Sequence, residues 1–565
     1  MRRRSAGRLH RPSHKPSRFI TRPATLSRPG PRPKIKRAKS KQVKTKQTEP
    51  KKRIKPVPSD PQVILVVLDG LRRDFVTAAY TPNLYAFLRE NVDYRESRSV
   101  FPSMTRVNAA AIGSGCVPGM TGVIANQFYD PKVFADAVFH TGKVSHIEAA
   151  MQAYEGRFVT VDGLAESLIA GGKSLAVVTS ASGGTTRVLN PRVAENDQVS
   201  LCLRDWGSSY PKAFADRVMR DLGALPDLQM PAIAISRCVT NIVLNHVMPE
   251  VDPDVAIVWY GDPDYTFHYR GLGSEEALAA MREVDQQFAR LVNWARDPAR
   301  GRDIQILVAS DHGHINAVGR VEAGRELREA GFDLDPATGP QRGLLGAPLQ
   351  VGAVRALQAA DKTELLDLVQ FLREQPWCGA IFTQGLNGPD GVQDPHGLVP
   401  GTLNSSLLLN DHARSPDLFY TLAVGDEAGP RGVPGSGRFV GSELKEGGST
   451  HGGLSSYEMR SVLGAGGSAF RNSVVSTLPC GVVDIAPTVL SLLGIASPPF
   501  MSGRVLSEGL AGCDTTALAE PEEELFEAVH ASGRDALRRR RLGQHVYVQE
   551  AEARRIEGGA TRRAS

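Results

Sequence analysis

Short, wholly apolar runs alternate along this chain with longer stretches of helical period. Val63-Ile-Leu-Val-Val-Leu68 is the first such run. Leu175-Ala-Val-Val178, Val255-Ala-Ile-Val-Trp259 and Ile304-Gln-Ile-Leu-Val308 follow. A run that is apolar at nearly every position suits a strand covered on both faces, as in a parallel sheet. Helical spacing lies between the runs, in Leu164–Ala170 and Glu275–Ala295. Strands alternating with helices predict an α/β fold built on a doubly wound, mostly parallel sheet.

From about 315 to 448 the texture changes: Gly and Pro increase, and a strand–helix–strand pattern appears at Leu349–Val354, Thr363–Glu374 and Ala380–Thr383. This predicts an inserted smaller α+β cap domain (315–448) within a catalytic domain made of 58–314 and 449–512. Met459–Leu463 and a helix at Asp484–Leu493 return to the main sheet. Residues 513–565 read as a peripheral, charged appendage, with a helix at Pro521–Val529 and a basic run Arg538-Arg-Arg-Arg541.

Charge is distributed unevenly. The net +6 of the 565 residues hides 21 Lys/Arg against one acid in residues 1–55, while the remainder is acidic. Residues 1–57 have almost no large apolar side chains, cannot bury a core, and read as a disordered solubilising tail. A weak nucleic-acid or anionic-surface contact is the alternative partner reading for that tail. Pro23, Pro29, Pro31 and Pro33 argue against a transit-peptide helix. Cys116, Cys202, Cys238, Cys378, Cys480 and Cys513 have no regular spacing, which indicates reduced thiols rather than a disulfide framework or a sulfur-bound metal. The sequence leaves the compartment open; with neither a membrane-length apolar run nor a secretory signal pattern, cytoplasmic is the favoured reading.

Candidate chemistry begins at Phe101-Pro-Ser-Met-Thr-Arg-Val-Asn108, a turn running into the small-residue helix Ala109–Gly115. It puts Thr105 at or near a helix N-terminus, where free N–H groups and the helix dipole favour an anion. A hydroxyl there is either a cap or a nucleophile. Asp69 follows the first strand, and Asp311-His312-Gly313 follows another. Asp264 and His268 are four apart and share a face if helical; His451 sits in Thr450-His-Gly-Gly453. Three Asp and three His at strand ends and loops form the N/O ligand set of two zinc ions. Two such ions can clamp the attacking and leaving oxygens of a phosphoryl transfer.

The ordered motifs resemble the alkaline phosphatase superfamily, and most closely its type I phosphodiesterase/nucleotide pyrophosphatase branch. They are Val-Val-Leu-Asp69-Gly, Phe-Pro-Ser-Met-Thr105-Arg-Val-Asn108, Gly122-Val-Ile-Ala-Asn126-Gln-Phe-Tyr-Asp130, Pro263-Asp264 through His268, Ser310-Asp311-His312-Gly313 and Thr450-His451-Gly-Gly. The resemblance implies Thr105 as nucleophile, also facing a metal held by Asp69, Asp311 and His312. It implies a second metal on Asp264, His268 and His451, and Asn108 as a phosphate donor. The implied reaction is hydrolysis of small phosphodiester or pyrophosphate substrates, nucleotide-type among them, through a phospho-threonine intermediate.

Departures from the family pattern are informative. Thr121-Gly122 stands where His-Gly is common, and His314 where Met is common; His314 reads as a solvated loop residue, though it could reach the site. Arg106 replaces an aromatic that helps to hold a base, and could instead meet an anionic substrate group. Trp259 is either a base-stacking aromatic or a core strand residue. Cys116-Val-Pro-Gly-Met120 lacks the arginine of a sulfatase signature. A phosphonoacetate hydrolase-like C–P hydrolase is the runner-up, although Val178–Arg187 lacks the expected lysine. A phosphomonoesterase and a metal-bound scaffold recruiting nucleic acid through its tail complete the alternatives.

Overall fold

The computed structural model describes residues 61–339, 342–358, 362–387, 393–441, 443–514 and 518–556. The basic tail, and the nucleic-acid or surface contact read from it, lie outside the described residues. The central sheet has eight strands. From one edge they are Val474–Ser476, Val92–Tyr94, Leu463–Gly466, Asp303–Ala309, Pro61–Leu68, Val255–Tyr260, Leu175–Thr179 and Val199–Cys202. Leu463–Gly466 runs against its neighbours and the rest are parallel, so the sheet is mostly parallel as the apolar runs predict.

The reason is visible in the first strand. Val63, Leu65 and Val67 enter the apolar cluster on one face, and Ile64, Val66 and Leu68 enter the cluster on the other. Each is fully buried, worth roughly 1.5–3 kcal/mol apiece in transfer free energy. The helices Leu164–Ala170 and Glu275–Ala295 form at the predicted positions. The Ser274 side chain accepts from the Ala277 N–H to start the longer one.

Between the first six strands of this sheet in chain order and the last two, Leu463–Gly466 and Val474–Ser476, the chain builds a second, seven-stranded sheet from strands within 344–422, with the helix Glu364–Glu374. Phe382, Leu403 and Phe419 from that sheet join the same apolar cluster as the catalytic-side helices, while Leu365, Leu368 and Tyr420 form a separate core. The strand Ile315–Arg320 pairs antiparallel with Ser449–Thr450, Ile315 opposite Thr450 and Asn316 opposite Ser449. The segment thus leaves and re-enters the fold at one place.

The C-terminal expectation needs correction. Pro521–His530 is a strand, not a helix, in a three-stranded antiparallel sheet with Gly533–Leu542 and His545–Arg555. The Glu-rich and Arg-rich runs face each other across it: Glu524 meets both Arg539 and Arg541. Cross-strand charge pairing overrides the helix preference of a Glu-rich run. Nor is this sheet peripheral, since Ala528, Leu537, Tyr547 and Val548 lie in the main core cluster. All six cysteines are free, five of them buried. Among the described residues no helix is long and apolar enough to cross a membrane.

Candidate active site

Three adjacent strands, Asp303–Ala309, Pro61–Leu68 and Val255–Tyr260, end side by side, and the predicted acids leave from those ends. Carboxyl ends of parallel strands are where such sheets place ligands. The loops are tied together by the Asp264 N–H to the Asp69 carbonyl (3.0 Å) and the Gly70 N–H to Asp311 Oδ1 (3.0 Å). Gly70 has φ +69°, and a Cβ there would lie 2.6 Å from His314 Nε2 and 2.9 Å from the Asp264 Cβ. Only glycine suits that bend.

Thr105 opens the helix Thr105–Ser114, whose Ala109, Ala110, Ala111 and Ile112 are buried. Its Oγ1 lies 3.2 Å from His312 Nε2. That nitrogen is 3.3 Å from Asp311 Oδ2 and 3.6 Å from Asp69 Oδ1. Asp264 and His268 share the helix Asp264–Arg270, with Nε2 3.2 Å from Asp264 Oδ1. His451 Nε2 is 3.4 Å from the same oxygen. The rings of His312 and His451 stack at 3.6 Å.

The histidines are oriented alike. Nδ1–H donates to a backbone carbonyl in His268 (Ser449, 2.9 Å), His312 (Gly313, 3.0 Å) and His451 (Ser103, 2.7 Å). A carbonyl only accepts, so each Nδ1 carries the proton and each Nε2 faces the cluster as a donor atom for a metal. Two buried carboxylate oxygens here, Asp69 Oδ1 and Asp311 Oδ2, have no hydrogen-bond partner among the described residues. Burial, then the Asp311 and Asp264 charges, pushes Asp69 well above the ordinary carboxylate value; burial also raises Asp311. Burial opposes ionisation of Asp264 too, but the His268 charge and hydrogen bonds from His268 and His314 hold it well below. Unanswered buried acids beside inward-facing imidazole nitrogens fit divalent cations. The donor atoms fall into two groups, Asp264 with His312, His314 and His451, and Asp69 with Asp311 and His312.

Several residues differ from expectation. Trp259 is fully buried and donates from Nε1 to Asp69 Oδ2 at 2.9 Å, so it holds the Asp69 carboxylate in place and offers no face to a base. Asn108 is fully buried too: Oδ1 accepts from the Val100 N–H (2.9 Å), and Nδ2 donates to the Met104 carbonyl (3.0 Å). It braces the turn before Thr105 instead of meeting a phosphate. Asn126 is the asparagine beside the helix start, where Oδ1 accepts from the Arg106 N–H (3.2 Å), and its amide nitrogen has no partner among the described residues. It lies inside the Gly122–Asp130 motif, but a loop residue that distant from Thr105 gives no spacing signal. His314 is no solvated loop residue: it is fully buried, with Nε2 2.9 Å from Asp264 Oδ1. Arg106 is partly buried and lowered to about 10 by burial, which the Asp69 and Asp264 charges offset only in part. No acid lies within ion-pair distance of it among the described residues, and its buried Nε is unpartnered.

The sequence model of the type I phosphodiesterase/nucleotide pyrophosphatase family matches residues 63–368, more than half of the chain. The chain belongs to that family. Curated relatives include a Xenopus laevis bis(5'-adenosyl)-triphosphatase, 35% identical over 82 residues, or 14% of this chain and 18% of that protein. The human bis(5'-adenosyl)-triphosphatase is 22% identical over 263 residues, 45% of this chain and 47% of its own length. The matched segments thus span from under a fifth to about half of these relatives. Murine ectonucleotide pyrophosphatase/phosphodiesterase 5 shares the fold at TM-score 0.52 and 16% identity, covering 80% of this chain and all of that one. Within this family frame the mixed α/β architecture with its large, mostly parallel sheet is the expected scaffold.

Proposed function

We propose that this protein is a two-zinc hydrolase that cleaves phosphodiester or pyrophosphate bonds by way of a phospho-threonine. The observation that carries the reading is the Thr105 hydroxyl at a helix N-terminus, 3.2 Å from the Nε2 of His312 and beside the unpartnered oxygens of Asp69 and Asp311. Asp69, Asp311 and His312 would hold one ion near Thr105; Asp264, His268 and His451 would hold the other. When bound, the ions would polarise the phosphoryl oxygens and ease ionisation of the attacking hydroxyl and water.

The chain's own groups do the rest. Thr105 Oγ1 bonds to phosphorus as the ester oxygen leaves, and water then displaces Oγ1 to restore the hydroxyl. The free Asn126 amide and the first-turn N–H groups donate to the phosphoryl oxygens, which gain charge as the bond changes. Arg106, with its unpartnered Nε, meets a further anionic group, such as the second phosphate of a pyrophosphate. With Trp259 enclosed, Tyr265 and Tyr269 are the aromatic pair available to a nucleotide base, on the helix that carries Asp264 and His268. Residues 315–448 act as the cap that selects the substrate. Two contacts support this: Phe419 packs edge-on against Phe101 at 5.6 Å, and Asn410 donates to the Phe101 carbonyl at 3.3 Å.

The test is turnover of bis-p-nitrophenyl phosphate, p-nitrophenyl phosphate, a nucleotide p-nitrophenyl ester and phosphonoacetate by zinc-loaded wild type and Thr105→Ala. Diester or nucleotide-ester cleavage that disappears in the variant is the expected result. Turnover of phosphonoacetate alone would replace the reading by C–P hydrolysis, and diester turnover that survives in Thr105→Ala would remove the covalent step.

A further inference from the structure

We propose that His314 is itself a metal ligand, completing a four-donor site with Asp264, His268 and His451, while the Asp69–Asp311–His312 site keeps a position open beside Thr105. The proposal rests on the two-ion reading above. Three imidazole nitrogens surround one carboxylate oxygen: His314, His268 and His451 Nε2 lie 2.9, 3.2 and 3.4 Å from Asp264 Oδ1. Donors held at about 2.0–2.1 Å around a tetrahedral ion stand about 3.3 Å apart, and each of these distances to Asp264 suits a shared ion. His314 and His451 already belong with Asp264 to one group of donor atoms within 4.8 Å of one another, while His268 reaches that group through Asp264 Oδ1.

The surroundings are arranged for His314 as they are for the accepted ring positions. Ser449 orients two rings at once: its carbonyl takes the His268 Nδ1–H, and its hydroxyl lies 3.0 Å from His314 Nδ1. Ligation through Nε2 requires Nδ1 to carry the proton, and the hydroxyl stands where it can accept it. Arg72, 1% exposed, donates from Nη1 to the His314 carbonyl at 3.1 Å and fixes the backbone. Gly70 vacates the space that the ring occupies, since a side chain there would meet Nε2.

Three imidazoles and one carboxylate favour a borderline ion such as zinc over magnesium or calcium, which prefer oxygen. The two sites therefore differ in kind. The first is closed by protein donors and sets charge and geometry, and the second has three donors and an open face toward the nucleophile.

The experiment uses the full chain, stripped of metal and titrated with zinc against a chromophoric chelator, and in parallel with cobalt(II) followed by its visible absorption. Wild type should take up two ions per chain. His314→Met should weaken the tighter one at least about tenfold and change the cobalt spectrum, leaving the metal-free Tm near wild type. His314→Gln can still hydrogen-bond to Asp264, and should show the same loss if ligation is the role. Ser449→Ala, which removes the hydroxyl but keeps the carbonyl for His268, should give a smaller loss of the same kind. Wild-type affinities and cobalt spectrum in both His314 variants would overturn the proposal, whatever their Tm, and leave His314 a hydrogen-bond partner of Asp264. A wild type that binds no zinc would instead overturn the two-ion reading.

Discussion

Two clusters of buried charge in this molecule are answered in different ways. Around Asp484 the protein supplies the partners itself. Its carboxylate accepts from the Gly481 N–H (2.8 Å), the Arg504 N–H (2.7 Å) and the Tyr547 hydroxyl (3.1 Å). Glu508 takes two bonds from Arg504, at 2.7 and 2.8 Å. At the strand ends, Asp69 and Asp311 each keep an oxygen without a partner. Asp93 also has such an oxygen, but two arginines, Arg73 and Arg95, answer its charge. The other oxygens of Asp69 and Asp311 take only the neutral Trp259 Nε1–H and the Gly70 and His312 N–H groups among the described residues. An acid left open in a fold that elsewhere answers its acids marks a place prepared for something from outside.

This contrast can be broken at either end. The largest effect belongs to Thr105→Ala: turnover should fall at least about 1,000-fold with an unchanged melting curve, because the hydroxyl serves chemistry and not packing. Next, Asp484→Ala should cost about 3 kcal/mol in denaturant unfolding, since it strands three donors, while specific activity of the folded fraction stays constant. Loss of activity without loss of stability would reverse the assignment of the two clusters. Trp259→Phe removes the donor that orients Asp69, and zinc affinity measured by chelator competition should weaken about tenfold. If nucleotide-ester KM changed instead, Trp259 would have to reach substrate after all.

The smallest effect has the most telling sign. Asp69→Asn should raise the Tm of the metal-free protein by a few degrees, the opposite of Asp484→Ala, while zinc binding falls. The same cause gives a pH dependence. Asp69 and Asp311 are raised in the fold, and His268 is raised by Asp264 despite its burial. Each of the three holds a proton in the native state that the unfolded chain has released. Their own share of metal-free stability therefore falls as pH rises, from near 4 for the two acids and from near 6.5 for His268. His314 and His451, lowered by burial, act in the opposite sense below about 6.5. Asp264, held low, acts only in more acid solution. On the two-ion proposal zinc would displace those protons, so the Tm gain on adding zinc should grow between pH 5 and pH 8. A gain that shrinks over that range would mean the carboxylates are answered by the protein.

The sequence made some of this legible and hid the rest for identifiable reasons. Strands such as Val63–Leu68 were readable because burial on both faces leaves an unbroken apolar run. Asp69, Asp311 and His312 were readable because they follow such runs directly. Asn108 misled because the family resemblance assigned it to a phosphate, whereas its side chain is fully buried and bonded to Val100 and Met104. Asn126, Trp259 and His314 depend on partners supplied by other segments: the Arg106 amide, Asp69, and Asp264 with Ser449. No local spacing announces those meetings. The C-terminal sheet was hidden likewise, since a Glu-rich run reads as helix until its arginine partners are known.

The pairing of Ile315 with Thr450 and Asn316 with Ser449 has a consequence for how this protein can change. His314 and His451 flank that narrow neck, so the chain between 317 and 448 begins and ends at one closed junction, although Phe382, Leu403 and Phe419 within it pack into the main core. Lengthening a closed loop is cheap, about 0.6 kcal/mol per doubling in chain entropy. Exposed loops of the segment can therefore be trimmed or enlarged while the two histidines stay in register, provided its contacts with the main core are kept. An insertion placed in those loops would leave the paired strands, and with them the positions of His314 and His451, as they are.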